Sequence, residues 1–213
     1  MSVRVKICGV RRLEDARLAA DLGASAIGFV FWPGSPRFID PFRAKQIAAA
    51  LPPFVSTVGV FVNQPHEHVT GVARLLNLAA IQLHGDEDPR DLLRAVHRVI
   101  KAIAVGAAFD AGAVRSLPAS ITVLLDAHDP VRRGGTGTAI DWTTAARIAS
   151  SRPTILSGGL NPANVRAAID EVQPYAIDVS SGVESAPGVK DPAKLRALFD
   201  ALPCPASPRP LSM

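Results

Sequence analysis

Three short stretches carry side chains that can move protons. "VKICGV" places Cys8 at the end of an apolar run, "QLHGDE" does the same for His84, and "LLD" ends on Asp126. A thiol, an imidazole and a carboxyl group arriving from separate apolar runs are the parts of an acid–base device, in which one group gives a proton while another takes one. Each residue alone also has a plain structural use. Free cysteine is among the most buried residue types, a histidine before Gly85 closes a turn, and an aspartate can orient a loop or pair with Lys6. The decision rests on whether the fold brings the three together.

The elements that must position them follow from the hydrophobic rhythm. Short β-branched runs alternate with Ala/Leu/Arg-rich stretches of helical period. Strands are predicted at Val3–Cys8, Ala26–Val30, Ser56–Val62, Ala80–His84, Val99–Ala104, Ile121–Asp126, Thr154–Ser157 and Tyr175–Ser180. Helices are predicted near 12–22, 41–51, 65–77, 89–97, 110–117, 142–150, 162–172 and 192–202. Asp40-Pro41, Gln64-Pro65, Asp88-Pro89, Asn161-Pro162 and Asp191-Pro192 each put proline where a first helical residue belongs, since its missing N–H would be unpaired there anyway. Asp or Asn ahead of it can cap the helix, and Asp141 before Trp142 reads the same way. Strict alternation implies parallel strands joined by helical crossovers. The expected fold is an α/β protein, a (β/α)8 barrel with a closed parallel eight-stranded sheet. A doubly wound open sheet is the alternative. Residues 1–202 are expected to form one barrel domain and 203–213, "PCPASPRPLSM", a Pro-rich disordered tail.

Side-chain parity then sorts each strand into two faces. Val3, Val5 and Ile7 oppose Arg4, Lys6 and Cys8. Ile81 and Leu83 oppose Gln82 and His84, and Ile121, Val123 and Leu125 oppose Thr122, Leu124 and Asp126. Ile177 and Val179 oppose Asp178 and Ser180. The apolar sets suit the helices, so the polar sets must face into the barrel. Burying unpaired polar groups costs free energy, and packing alone would not select them. They gather at the C-terminal strand ends, where active sites of such barrels lie.

Three glycine-bearing loops follow late strands: "RRGGTGT", "LSGGLNP" and "VSSGVES". Gly158 and Gly159 precede a helix start, and Ser181 and Gly182 follow the last strand. Exposed N–H groups at such places favour an anion, and the loops after the seventh and eighth strands commonly build a phosphate site in this fold. The Gly134–Gly137 loop, with Arg132 and Arg133 before it, could act as a lid; the sequence leaves open whether it closes during turnover. Other chemistries lose support. His66 and His68 do not share a helix face, His97 and His128 lack metal-ligand spacing, and "GGTGTA" lacks the Lys-Ser/Thr ending of a phosphate-binding Walker loop. No metal and no cofactor is expected.

Composition is ordinary for a soluble globular protein with a sizeable core. The 213 residues are 48% hydrophobic and 20% charged, with a net charge of +4. A basic balance suits a phosphorylated small molecule. Dispersed charges, one Tyr and two Trp speak against nucleic acid. Cys8 and Cys204 do not make a disulfide framework. Without a signal-like segment or a run of roughly 20 apolar residues, a cytoplasmic protein with no membrane partner is expected, as a monomer or homodimer.

Taken together, "VKICGV", "GFVFWPGSPRFI", "VGVFVN", "QLHGDE", "LLD", "GGTG", "DW", "LSGGLNPANV" and "DVSSGVESAPGVKD" resemble, in order over residues 3–202, the phosphoribosylanthranilate isomerases of tryptophan biosynthesis. The resemblance implies a (β/α)8 barrel and a cofactor-free Amadori rearrangement of N-(5-phosphoribosyl)anthranilate. It implies that Cys8 is the general base, Asp126 the general acid and Arg37 the contact to the anthranilate carboxylate. Gly158, Gly159, Ser181 and Gly182 then belong to the phosphate loops. His84 and Asp178 are expected to touch substrate, with the role of His84 open between orienting the substrate and plain structural bonding. Lys6 is expected to favour the Cys8 thiolate, and Gly9 to keep space for substrate. A related sugar-phosphate isomerase of the histidine-pathway type, and a non-catalytic phosphometabolite-binding protein, remain as alternatives.

Overall fold

Why the polar strand positions are tolerable becomes plain from the sheet. A computed structural model describes residues 3–92, 98–106, 109, 111–127 and 141–203. Eight strands close into one barrel in chain order: β1 (Arg4–Cys8), β2 (Ala26–Val30), β3 (Ser56–Phe61), β4 (Ala80–Leu83), β5 (Val99–Val105), β6 (Ile121–Ala127), β7 (Thr154–Leu156) and β8 (Ala176–Val179). All neighbours are parallel, and β8 returns to pair with β1 through Lys6 and Asp178. Seven α-helices lie among the described residues: α1 (Leu13–Asp21), α2 (Pro41–Ala49), α3 (His66–Leu76), α4 (Ala111–Arg115), α5 (Trp142–Ala149), α6 (Val165–Val172) and α7 (Pro192–Asp200). The closed sheet is the expected barrel rather than the doubly wound alternative. No described helix is long and apolar enough to cross a membrane.

The parity reading holds in three dimensions. Val5, Ile7, Ile81, Leu83, Val123, Leu125, Ile177 and Val179 are buried in the large core between sheet and helices. Inside the barrel, Val58, Ile100, Ala102, Leu124, Ile155 and Ala176 fill the layer nearer the N-terminal strand ends. Lys6, Gln82, Asp126 and Asp178, each two residues further along its strand than an inward small or apolar position or at the same height, are all buried above it. Arg4 departs from the expectation. It shares their parity, but it lies at the N-terminal mouth, exposed, with its guanidinium 4.4 Å from the Tyr175 ring centroid.

The helix starts are partly as expected. Asp40 accepts from the N–H groups of Phe42 and Arg43, Asp191 from those of Ala193 and Lys194, and Asp141 from that of Thr143. Three others differ. Pro65 is itself the N-cap residue of α3, without a side-chain cap, and the Gln64 amide donates instead to the Phe31 carbonyl, 3.1 Å. Pro89 opens only a 3-10 turn, Pro89–Leu92, and the rest of the predicted 89–97 helix lies outside the described residues. Pro162 sits in a turn, and α6 begins at Val165. There the Asn161 side chain accepts from Ala163 N–H and Asn164 accepts from Asn161 N–H, each at 2.8 Å, so local side-chain bonds outcompete an early helix.

One element was not foreseen. Between β8 and α7 the chain forms a small antiparallel hairpin, β9 (Glu184–Ala186) and β10 (Val189–Lys190). Its turn carries Pro187-Gly188, with Gly188 at φ +78°, a conformation that glycine adopts without steric cost. The expected tail beyond 203, Cys204 with it, and the Gly134–Gly137 loop lie outside the described residues.

Candidate active site

At the C-terminal strand ends the barrel opens into a cavity of about 510 Å³. Cys8 from β1, Arg37 from the loop after β2, Gln82 from β4, Asp126 from β6 and Asp178 from β8 reach its wall, and so does His84, just past β4. The three proton-moving groups of the sequence thus share one chamber. Val30, Trp32, Val60 and Val62 supply an apolar side, and Ser157 and Ser180 a polar one.

Cys8 is 7% exposed. Burial pushes its thiol above the ordinary value near 9.0, and the Asp178 charge pushes the same way. Lys6 and Lys190 pull it down without prevailing. The expected effect of Lys6 therefore has the right sign but not the upper hand. Lys6 is committed to Asp178, Nζ to Oδ1 at 2.9 Å. Burial lowers the Lys6 pKa, but its ionic partner raises it more, and the net direction is up. A Cβ at Gly28 would lie 2.9 Å from Cys8 Sγ and 3.0 Å from Lys6 Cε. Glycine on β2 is what lets the two side chains stand there.

Asp126 is 4% exposed and does not pair with Lys6. Its Oδ2 meets His84 Nε2 at 3.1 Å, and its Oδ1 accepts from Ala127 N–H at 3.0 Å. His84 Nδ1 in turn meets Gln82 Nε2 at 3.0 Å.

Arg37 sits on the cavity wall, braced from behind. Its Nε and Nη2 donate to the two carboxylate oxygens of Glu184 at 2.9 and 2.7 Å, the bidentate geometry that guanidinium favours. Its Nη1 takes no partner among the described residues, which leaves one edge for an incoming carboxylate. Lys190, 1% exposed, reaches the same Glu184 at 2.8 Å and donates to the carbonyls of Cys8, 2.6 Å, and Ser180, 3.1 Å. Burial tends to raise Glu184, yet Arg37 and Lys190 together hold it below the usual carboxylate value. Burial pulls Lys190 down despite Glu184. Gly9 is not an open space for substrate. It has φ +73°, and a Cβ there would meet Arg37 Cδ at 2.5 Å, so the missing side chain makes room for the arginine stem.

The glycine loops after β7 and β8 adjoin each other. Gly158 and Gly159 have φ of +88° and +70°, and their N–H groups find no acceptor among the described residues. A Cβ at Gly182 would fall 1.9 Å from the Leu160 carbonyl oxygen, so this glycine is required by the close approach of the two loops. None of Gly158, Gly159, Ser181 and Gly182 lines the described cavity; its nearest chain neighbours, Ser157 and Ser180, do. Glu184, Lys190 and Trp32 are residues that the sequence reading did not single out. Pro187-Gly188 between "ES" and "VK" was the available signal for the hairpin, since such dipeptides mark turns.

Comparison with known proteins points to one family. Residues 5–201 match the family model described as N-(5'phosphoribosyl)anthranilate (PRA) isomerase. An N-(5'-phosphoribosyl)anthranilate isomerase of Geobacter metallireducens is 48% identical over 194 residues, covering 91% of this chain and 96% of the relative. Among solved structures, the phosphoribosyl anthranilate isomerase of Thermus thermophilus superposes with a TM-score of 0.85 at 44% identity, covering 93% of this chain and 98% of its own. Another phosphoribosyl anthranilate isomerase, solved in complex with reduced 1-(o-carboxyphenylamino)-1-deoxyribulose 5-phosphate, superposes at 0.82 and 43% identity, covering 93% and 97%.

Proposed function

The chain belongs to the N-(5'-phosphoribosyl)anthranilate isomerase family, and from that premise we propose that Cys8 and Asp126 divide the proton transfers of its reaction. The chain is an isomerase of tryptophan biosynthesis. It converts N-(5-phosphoribosyl)anthranilate to the 1-deoxyribulose 5-phosphate isomer by an Amadori rearrangement. The observation that carries the assignment is the shared cavity. A thiol from β1 and a carboxyl from β6 line the same chamber, with Arg37 on its rim.

Asp126 donates its proton to the ribose ring oxygen as the C1'–O bond breaks. The lone pair of the anthranilate nitrogen forms the C1'=N bond, leaving an iminium. That cation acidifies C2'–H. Cys8, as the thiolate, takes the proton, and the C–H electrons form the C1'–C2' double bond while the C=N pair returns to nitrogen. The resulting enolamine becomes the ketone by tautomerisation. Arg37 offers Nη1 to the anthranilate carboxylate, and the Trp32 side of the cavity receives the aromatic ring. The N–H groups of the Gly158–Gly159 loop, together with the Ser181–Gly182 turn, hold the phosphate, and Asp178 keeps Lys6 beside the base. Fixing both ends of the substrate supplies orientation, a large share of the rate in such reactions. The cytoplasm, where free thiols persist, is the compartment that suits Cys8.

The test follows the fluorescence of phosphoribosylanthranilate as it disappears. Cys8→Ser and Asp126→Asn are expected to lower kcat by at least about a hundredfold, the scale of general acid–base catalysis, while binding of a product-like phosphate ester persists. Near-native turnover in either variant removes that residue from its role.

A further inference from the structure

Gln82 is an expensive residue to place where it stands. It is 1% exposed, and its strand neighbours in register are Val60 and Ile100. Its Oε1 takes no hydrogen bond among the described residues, and an unpaired buried acceptor is destabilising. Methionine or leucine would fill the same volume without that cost. What the amide does have is one bond, Nε2 to His84 Nδ1 at 3.0 Å.

That bond fixes more than a position. An amide NH2 can only donate, so Nδ1 of His84 must present its lone pair. A neutral imidazole with an unprotonated Nδ1 carries its hydrogen on Nε2, and Nε2 stands 3.1 Å from Asp126 Oδ2. His84 is then a donor to Asp126, whose Oδ1 already accepts from Ala127 N–H. Both oxygens of Asp126 are thereby served by donors, which is the arrangement a carboxylate needs.

We propose that Gln82 is a positioning residue: by donating to His84 Nδ1 it selects the Nε2–H tautomer, and His84 in that form stabilises the carboxylate that Asp126 becomes after giving its proton to the substrate. The inference rests on the acid role of Asp126 given above. It also fills the place left open for His84, which acts on the acid rather than on the substrate. The opposite tautomer would turn Nε2 into an acceptor facing an anionic oxygen, and the proton donation would leave two lone-pair atoms opposed.

The experiment reads the tautomer directly. Ring 15N chemical shifts of histidine-labelled protein distinguish protonated from unprotonated ring nitrogens, and the His84 signals are identified by their loss in His84→Asn. In the unmodified chain Nδ1 is expected to be bare and Nε2 protonated. In Gln82→Met, apolar and matched to its Val60 and Ile100 neighbours, the His84 signals are expected to shift toward a mixture of tautomers. Its kcat should fall about tenfold, the scale of one lost hydrogen bond to a charged network, with KM changed less than twofold. Gln82→Glu, an acceptor toward Nδ1 once its carboxyl is ionised, should drive the hydrogen onto Nδ1 over that pH range and move the pH profile of kcat. An unmodified chain with hydrogen on Nδ1 overturns the proposal whatever the variants do. So do Gln82→Met spectra and pH profiles that superimpose on those of the unmodified chain. Neither result touches the acid role of Asp126, which the Asp126→Asn turnover decides separately.

Discussion

In the proposed mechanism Cys8 acts as a base from a place that disfavours its anion. Burial is the larger influence and holds the thiol above its ordinary value near 9.0. At neutral pH the thiol form therefore dominates, and catalysis gains with rising pH until Cys8 titrates. Lys6 opposes this, and Asp178 limits the help by taking the Lys6 ammonium at 2.9 Å. Removing Lys6 leaves the Asp178 charge uncompensated beside the sulfur. In Lys6→Met the thiol should ionise at still higher pH, and the rising limb of kcat should move the same way. Iodoacetamide alkylation rates against pH, in a Cys204→Ser background, read the first quantity. Lys6→Met/Asp178→Asn should bring the curve back toward the parent, because both charges of the buried pair are then gone and neither is left unpaired. An alkylation curve indifferent to Lys6 would separate this lysine from the base.

At the level of elements, the β9–β10 hairpin is the brace that a barrel mouth needs. Glu184 takes both Nε and Nη2 of Arg37, 147 positions earlier in the chain. Lys190 ties the ends of β1 and β8 together through the carbonyls of Cys8 and Ser180. The hairpin is itself held to α1, since buried Asp15 accepts from Lys190 N–H at 3.2 Å and from the Arg12 guanidinium. Glu184→Gln keeps the shape but not the charge. Arg37 then loses its fixed bidentate partner, and KM for the anthranilate substrate should rise about tenfold, in keeping with the loss of a charge-assisted hydrogen bond. kcat should change less than threefold, because the two groups assigned the proton transfers in the proposed mechanism are untouched. Equal losses in kcat with KM unchanged would show that the hairpin serves the chemical step instead. This brace was the part least legible in the sequence. The strands announced themselves because one face of each had to be apolar beneath the helices. The polar faces of β1, β4, β6 and β8 followed by parity alone. Glu184 and Lys190 carry no such local mark, for their meaning lies in partners that only the closed barrel brings near. Asn161-Pro162 misled for the opposite reason: a strong local signal for a helix start was outcompeted by two asparagine side chains.

For the whole molecule, the two ends of the barrel hold different work. At the N-terminal strand ends, Arg152 gathers the carbonyls of Val114, Leu117, Pro118 and Ile121 and stitches loops together. At the other end, the proposed active site holds buried charges, and the stability of the fold becomes linked to pH. Glu184 is held below its ordinary value near 4.5, so its share of stability is complete above that pH and is lost as pH falls through its folded value. Lys6 lies above its ordinary 10.5; its share is complete below 10.5 and disappears as pH rises through its folded value. Lys190, pulled down from 10.5 by burial, works in the opposite sense on the alkaline side. Cys8 gives the cleanest test, because in the unfolded chain its thiol gives up its proton at lower pH than any lysine. More than about one pH unit below its ordinary value near 9.0 it is a thiol in both the folded and the unfolded chain and contributes almost no slope. Above that, the unfolded chain releases the proton while the buried thiol keeps it. The folded state then binds more protons, and stability falls with pH by as much as about 1.4 kcal/mol per pH unit for one group. Cys8→Ser removes this titration and little volume. The difference in Tm between parent and variant should stay constant from pH 6 to about 8, then shift progressively in favour of the variant toward pH 10.5. A difference that remains flat across the whole range would mean that the Cys8 thiol ionises as readily in the folded barrel as in the open chain, and that burial does not control the base.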